Sequence, residues 1–415
     1  MVATGPPQWD NKIEYILSVV GFAVGMGNMV RFPFTALKNG GGAFLLPYIV
    51  VLGVIAYPLM VLESALGQFT SRGPIESFRD GIPLLGGIGY AMMGVSAWIT
   101  CYYNVILAWI IYYCYLSLFP DPVFNKCPEE LEGISCIDDL QEIKAANEKL
   151  KQLELSKDPN ATYAACYQMP QGVYYDQYVL GQSVKPCAVE NVNYETQLQA
   201  WEDERNAHHG NIFDMGNFQW PLVICHLFSY IVLAFACRTG IKSSGKAMYV
   251  MMIFPAITLI GLLIRGLFLE GAWLGLTKFF TPDFSRLTEI SIWIKATEQV
   301  FFSIGVAWGG LVTLASYNKF DNNVIADTRT ILFADTMVSI LSGATVFVYL
   351  GEYSLQSGTA LEDVEGGYGL IFKVFPYALK LCFEHSPWLL MAANFIFFVD
   401  LWFMGMSSMS GLRFF

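Results

Sequence analysis

Long stretches of this chain carry no charge at all. Residues 218–237 and 88–119 contain no side chain that is ionised at neutral pH. Crossing the hydrocarbon of a bilayer takes roughly 20 such residues as a helix. A chain with several runs of this kind folds as an all-α membrane protein, because in lipid the backbone must satisfy its own hydrogen bonds. Composition agrees: 54% of the residues are hydrophobic and only 14% are charged, where a soluble domain carries about 25% charged residues.

Eight spans are legible, at 13–36, 43–66, 88–119, 218–237, 246–264, 296–317, 331–351 and 388–415. The start, MVATGPPQWDNK, runs directly into the first of them, so no cleavable leader is read and the span is expected to stay as a signal anchor. Loops 67–87, 238–246 and 318–330 carry Arg72, Arg79, Arg238, Lys242, Lys246, Lys319 and Arg329. The three shorter loops on the other side carry the same number over nearly twice the length. The positive-inside rule then puts the N-terminus and residues 1–12 in the cytoplasm.

That orientation places 120–217 outside the cell. The net charge of −11 is concentrated there, which argues against a nucleic-acid surface. Asn160-Ala161-Thr162 is an N-glycosylation acceptor, and Cys127, Cys136, Cys166 and Cys187 fall in a compartment that permits disulfides. Within this insert 139–157 reads as a charged, solvent-facing helix. The four histidines are scattered and no nucleophile–base or metal-ligand spacing is present, so an enzyme is not expected.

Two spans are poor helices in the middle. The first contains GFAVGMGN, with Gly21, Gly25 and Gly27, and the sixth contains FFSIGVAWGG, with Gly305, Gly309 and Gly310. Each mid-helix glycine costs about 1 kcal/mol relative to alanine. Small-residue packing between helices is the plain explanation. The sharper one is that both spans unwind at mid-membrane and expose backbone groups to an ion and a solute. Interrupted spans at corresponding positions of two halves point to an inverted-repeat transporter, with 13–264 as the first repeat and 265–415 as an incomplete second.

The segments KIEYILSVVGFAVGMGNMVRFPF, NGGGAFLLPY, ESALGQF, CYYN, GIKSSGK and ASYNKF, in this order, resemble the neurotransmitter:sodium symporter (solute carrier 6) family, in particular its invertebrate cation-coupled neutral amino-acid transporters. The resemblance implies a plasma-membrane symporter coupling inward sodium movement to uptake of a neutral amino acid by alternating access. It also implies twelve spans, so the chain is read as ending inside the eighth. A non-transporting fragment or isoform, and a carrier of a small amine or osmolyte, are the alternatives; the oligomeric state is left open.

The resemblance also assigns residues. A first cation site would draw on Ala23, Asn28, Ser303 and Asp335, the last standing where most members have Asn. A second would use Gly21, Val24, Met404, Ser407 and Ser408. Hard monovalent cations want several oxygens, which these types supply. The extra carboxylate is expected to let potassium or lithium replace sodium at the first site. Tyr48, Gln299, Ser303 and Ser339 match a chloride site, with Asp335 one turn before Ser339 leaving chloride use undecided. For the substrate, Gly25 leaves room where monoamine carriers keep an Asp, Tyr103 would hold a carboxylate, Phe22, Ile99, Phe302 and Trp308 would form an apolar wall, and Ser408 would lie near the amine. Glu63 is expected to accept from the unwound amides of the sixth span. At the cytoplasmic end, Trp9 matches a gate residue, but Pro6 stands where relatives have Arg.

Overall fold

Apolar faces that find no protein partner define the outer surface. Trp98, Ile257 and Phe333 are among large side chains left well exposed along the helices, as expected of surfaces that meet lipid. The computed structural model describes residues 8–81, 83–120, 122–127, 136, 169–181, 218–236, 241–357, 361, 367–383 and 386–412. Among these every regular element is helical. Five helices are long and apolar enough to cross a membrane: Gly42–Thr70, Pro83–Leu116, Gly245–Gly266, Val324–Gln356 and Pro387–Met409. The first span joins them as a bent pair, Lys12–Ala23 and Gly27–Lys38, which meet at 49°.

Three expected spans come out differently. The fourth is described as the shorter helix Trp220–Ala236. The sixth starts earlier than expected and is two pieces, Ile290–Ile304 and Gly310–Ala315. The seventh runs further than its apolar core suggested, over Val324–Ser357.

Short helices between spans escaped the hydropathy reading because they never reach span length. Ala272–Phe280 lies along the seventh span, where the amide of Gly271 donates to Glu352 Oε2 at 2.9 Å. Phe375–Cys382 packs on the seventh and eighth spans, and Arg265, at the end of the fifth, donates to the Cys382 carbonyl at 2.9 Å. The segment Pro170–Val179 reaches Leu370–Val374, the turn just before it, through an ion pair, Lys373 Nζ to Asp176 Oδ2 at 2.9 Å. Cys127 and Cys136 form a disulfide. Cys166, Cys187, Asn160 and the expected helix at 139–157 lie outside the described residues.

The buried core is aromatic. Phe32, Phe44 and Tyr48 join the first two spans, and Tyr113, Phe124, Phe372 and Phe398 form a second cluster where the third and eighth spans meet the loop helices. The first cluster holds the outer half of the broken first span, Gly27–Lys38, against the second span.

Candidate functional site

The breaks occur where the glycines are dense, and each is stabilised by side-chain hydrogen bonds to the freed backbone. In the first span the helix stops at Ala23 and Val24 takes extended angles. Asn28 closes the gap: its Oδ1 accepts from the Gly25 amide at 3.0 Å, and its own amide N–H donates to the Gly25 carbonyl at 3.1 Å. In the sixth span Gly305 and Gly309 take left-handed φ values of +66° and +79°, and so does Ala307 at +66°, unusual for a residue with a side chain. The freed Ala307 amide donates to Glu63 Oε1 at 2.7 Å, and the Trp308 carbonyl accepts from Ser96 Oγ at 2.5 Å. The geometry expected of Glu63 is therefore present.

That contact has a measurable consequence. Glu63→Ala leaves the Ala307 amide unpaired in a dry place, a loss of about 1–3 kcal/mol. The purified variant is expected to melt several degrees lower, whereas Glu63→Gln, which keeps an acceptor oxygen, stays near wild type. Equal melting temperatures for Ala and Gln variants would show the contact to be dispensable.

Next to the first break lies a knot of buried oxygens. Asn28 Nδ2 is 2.8 Å from Asp335 Oδ1, 2.8 Å from Ser339 Oγ and 3.2 Å from Ser303 Oγ. Ser303 Oγ donates to Asp335 at 3.0 Å, and the Tyr48 hydroxyl reaches its other oxygen at 3.5 Å. Asp335 is fully buried. Its neighbours are neutral, and among the described residues no basic side chain forms an ion pair with it. Asn28 presents nitrogen, not oxygen, to this knot, because its oxygen serves Gly25; presenting oxygen to a cation would require the amide to turn over. Ala23 ends the adjacent helix and is buried. Gln299, grouped with Tyr48, Ser303 and Ser339 on sequence, donates to the Gly27 carbonyl at 3.4 Å, and its buried Oε1 has no hydrogen-bond partner among the described residues.

A second oxygen cluster joins the first and eighth spans. Ser408 Oγ lies 3.4 Å from the Gly21 carbonyl and 3.3 Å from that of Met404, and Ser407 Oγ donates to Met404 O at 2.8 Å. Val24 is buried beside them, with no side-chain oxygen to add.

Between the two clusters sits Gly25. A Cβ built there would collide with Ser408 Oγ and stand 3.1 Å from the Tyr103 hydroxyl. The Phe22 and Phe302 rings flank Trp308 edge-on at 6.2 and 5.3 Å, and Ile99 is buried. Tyr103 and Phe302 also line a cavity of about 250 Å³ together with Met26, Arg31, Tyr102 and Tyr368. The last four were not assigned from sequence, although Arg31 stands out as a charge within an apolar span. Its guanidinium lies 4.7 Å from the centre of the Phe302 ring and 3.6 Å from Glu298.

The other end of the first span is fastened. Trp9 donates from its indole to the Leu314 carbonyl at 3.0 Å and from its amide to Tyr317 O at 3.2 Å. Lys12 pairs with buried Asp327 at 2.6 Å, and Gln68 Nε2 donates to the carbonyls of Phe320 and Asn322. Pro6 lies outside the described residues.

Known proteins with the same pattern are plentiful. The family model described as Sodium:neurotransmitter symporter family matches residues 6–413. The chain is 35% identical over 409 residues to "Sodium- and chloride-dependent glycine transporter 2" of Xenopus laevis, covering 97% of this chain and 49% of that protein. It is 33% identical over 385 residues to "Sodium- and chloride-dependent neutral and basic amino acid transporter B(0+)" of Homo sapiens, covering 89% and 56% respectively. It thus spans about half the length of these relatives. Among solved structures, MhsT in complex with L-phenylalanine shares the fold, with a TM-score of 0.67 at 21% identity over 98% of this chain and 73% of that one.

Proposed function

The chain belongs to the sodium:neurotransmitter symporter family, and on that basis we propose that it serves uptake of neutral amino acids driven by inward movement of sodium, with potassium or lithium accepted at the first site. The observation that carries this reading is Asp335. A fully buried carboxylate surrounded only by neutral donors is costly in a membrane span. A bound monovalent cation, held also by Ser303 and the Ala23 carbonyl, would offset that cost. Gly21, Val24, Met404, Ser407 and Ser408 offer oxygens for a second cation, as the expected assignment requires.

The substrate follows from Gly25 and Tyr103. With no fixed carboxylate at position 25, a substrate that brings its own carboxylate suits the site better than an amine carried alone. The relatives named above are transporters of glycine and of neutral and basic amino acids by their names, which points the same way. Phe22, Ile99, Phe302 and Trp308 would then meet the side chain. The fastened end around Trp9 and Lys12 and the cavity beside Tyr103 suit a carrier open toward one side, with alternating access at a plasma membrane and the N-terminus in the cytoplasm.

The test is uptake by the full chain in sodium, lithium and potassium media, for wild type and Asp335→Asn. Replacing the carboxylate with an amide removes an attraction that acts on any cation whatever its radius, leaving cavity size to select. Potassium-driven relative to sodium-driven uptake is expected to fall about tenfold, equivalent to roughly 1.4 kcal/mol. The hydroxyls of Tyr48 and Ser303 already serve Asp335, so wild-type uptake is expected to persist when gluconate replaces chloride. An unchanged cation ranking in the variant would make Asp335 a structural residue and defeat the cation assignment.

A further inference from the structure

The ring of Phe22 occupies a slot made of missing side chains. A Cβ built on Gly305 would lie 2.6 Å from Phe22 Cε1 and Cζ, and one built on Gly310 would lie 2.6 Å from Cζ. These two glycines are the residues on either side of the break in the sixth span. On the ring's other side a Cβ on Gly411, in the eighth span, would collide with Cδ2 and stand 2.9 Å from Cγ. The ring is therefore clasped between the backbones of two spans, with only 3% of its surface exposed. Within the site the ring also meets Trp308, edge-on at 6.2 Å, which in turn meets Phe302 at 5.3 Å.

We infer that Gly411 is a specificity-determining position that sets the size of the accepted side chain through Phe22. The inference rests on the amino-acid reading above. Real Cβ atoms do not approach carbon this closely, so a methyl group at 411 forces the ring to move. The sixth span cannot yield on the far side, because Gly305 and Gly310 already touch the ring and the break is fixed by Glu63 and Ser96. The ring must turn toward Trp308, pressing the aromatic wall of Phe22, Trp308 and Phe302 inward. Without a side chain, Gly411 lets the ring stand back against the eighth span, away from Trp308 and the substrate side-chain wall. Phe22 acts as a movable wall; Gly411 fixes where it rests.

The experiment measures stabilisation of the purified full chain by glycine, alanine, leucine and phenylalanine, in sodium, as a shift in melting temperature against concentration. The readout is the ratio of half-saturating concentrations for phenylalanine and alanine, which a general loss of stability does not move. Gly411→Ala is expected to raise that ratio about tenfold or more, the scale on which a pocket discriminates a methylene or two. Phe22→Leu, which shortens the wall without adding bulk, is expected to lower it and keeps the test open should Gly411→Ala fail to fold. The double variant is expected to return toward the wild-type ratio. Wild type stabilised by amino acids, with the ratio unchanged by Phe22→Leu or by Gly411→Ala, overturns the inference alone. Wild type stabilised by none of the four overturns the amino-acid reading itself, and the inference falls with it.

Discussion

Gly25→Asp is expected to abolish amino-acid uptake, by a hundredfold or more at equal surface expression. Two effects act together. The first is space: even a Cβ at this position collides with Ser408 Oγ and lies 3.1 Å from the Tyr103 hydroxyl, so any side chain displaces the groups assigned to the substrate's polar end. The second is charge. The groups nearest a side chain there, Ser408 and Tyr103, are neutral, and leaving one half of a buried pair unmatched typically costs about 3–5 kcal/mol. The aspartate would also repel the carboxylate that an amino acid brings. Gly25→Ala separates the two effects, since it adds bulk without charge; a smaller loss is expected, with the substrate ranking retained. Uptake of leucine by Gly25→Asp within threefold of wild type would remove position 25 from the substrate site.

The second large effect concerns folding. Gly67 of the second span lies directly against the backbone of Val312 in the short helix after the break, and a Cβ at 67 would overlap the Val312 carbonyl. A carbonyl belongs to the backbone and cannot swing aside as a side chain can. Gly67→Ala must separate the second span from the sixth, loosening the base of the broken segment. Overpacking of this kind costs about 1–3 kcal/mol where side chains can adjust, and more is expected against backbone. Most of the protein is expected to be lost from the monodisperse peak on size exclusion. Gly53→Ala is the control: it lies in the same helical stretch, a Cβ there meets nothing within 4 Å, and alanine is the better helix former. If both variants fold equally well, the two spans are not in this contact.

Much of the scaffold was determined by the sequence alone, because the quantities that determine it are local. Uncharged runs of span length mark helices whatever their surroundings, and clusters such as Gly21, Gly25 and Gly27 weaken a helix wherever it is placed. The positions of both breaks, the match of Glu63 to the unwound amides and the grouping of Asn28, Ser303 and Asp335 were legible in this way or through the family pattern. Tertiary structure decided what depends on how helices rotate and tilt against one another. Hydropathy averaged along a span does not encode rotation, so nothing local said that Asn28 spends its oxygen on Gly25 and turns nitrogen to Asp335. Nor did it say that the Gln299 amide donates to the Gly27 carbonyl, or that Arg31, Tyr102 and Tyr368 share one cavity. The short helix Ala272–Phe280 was missed because it owes its place to close packing on the seventh span, not to its own hydrophobicity. The slot around Phe22 is the clearest case. Gly305 and Gly310 mark a break and Gly411 looks like an ordinary small residue of a membrane helix; only the approach of the sixth and eighth spans to one ring gives their missing side chains a shape.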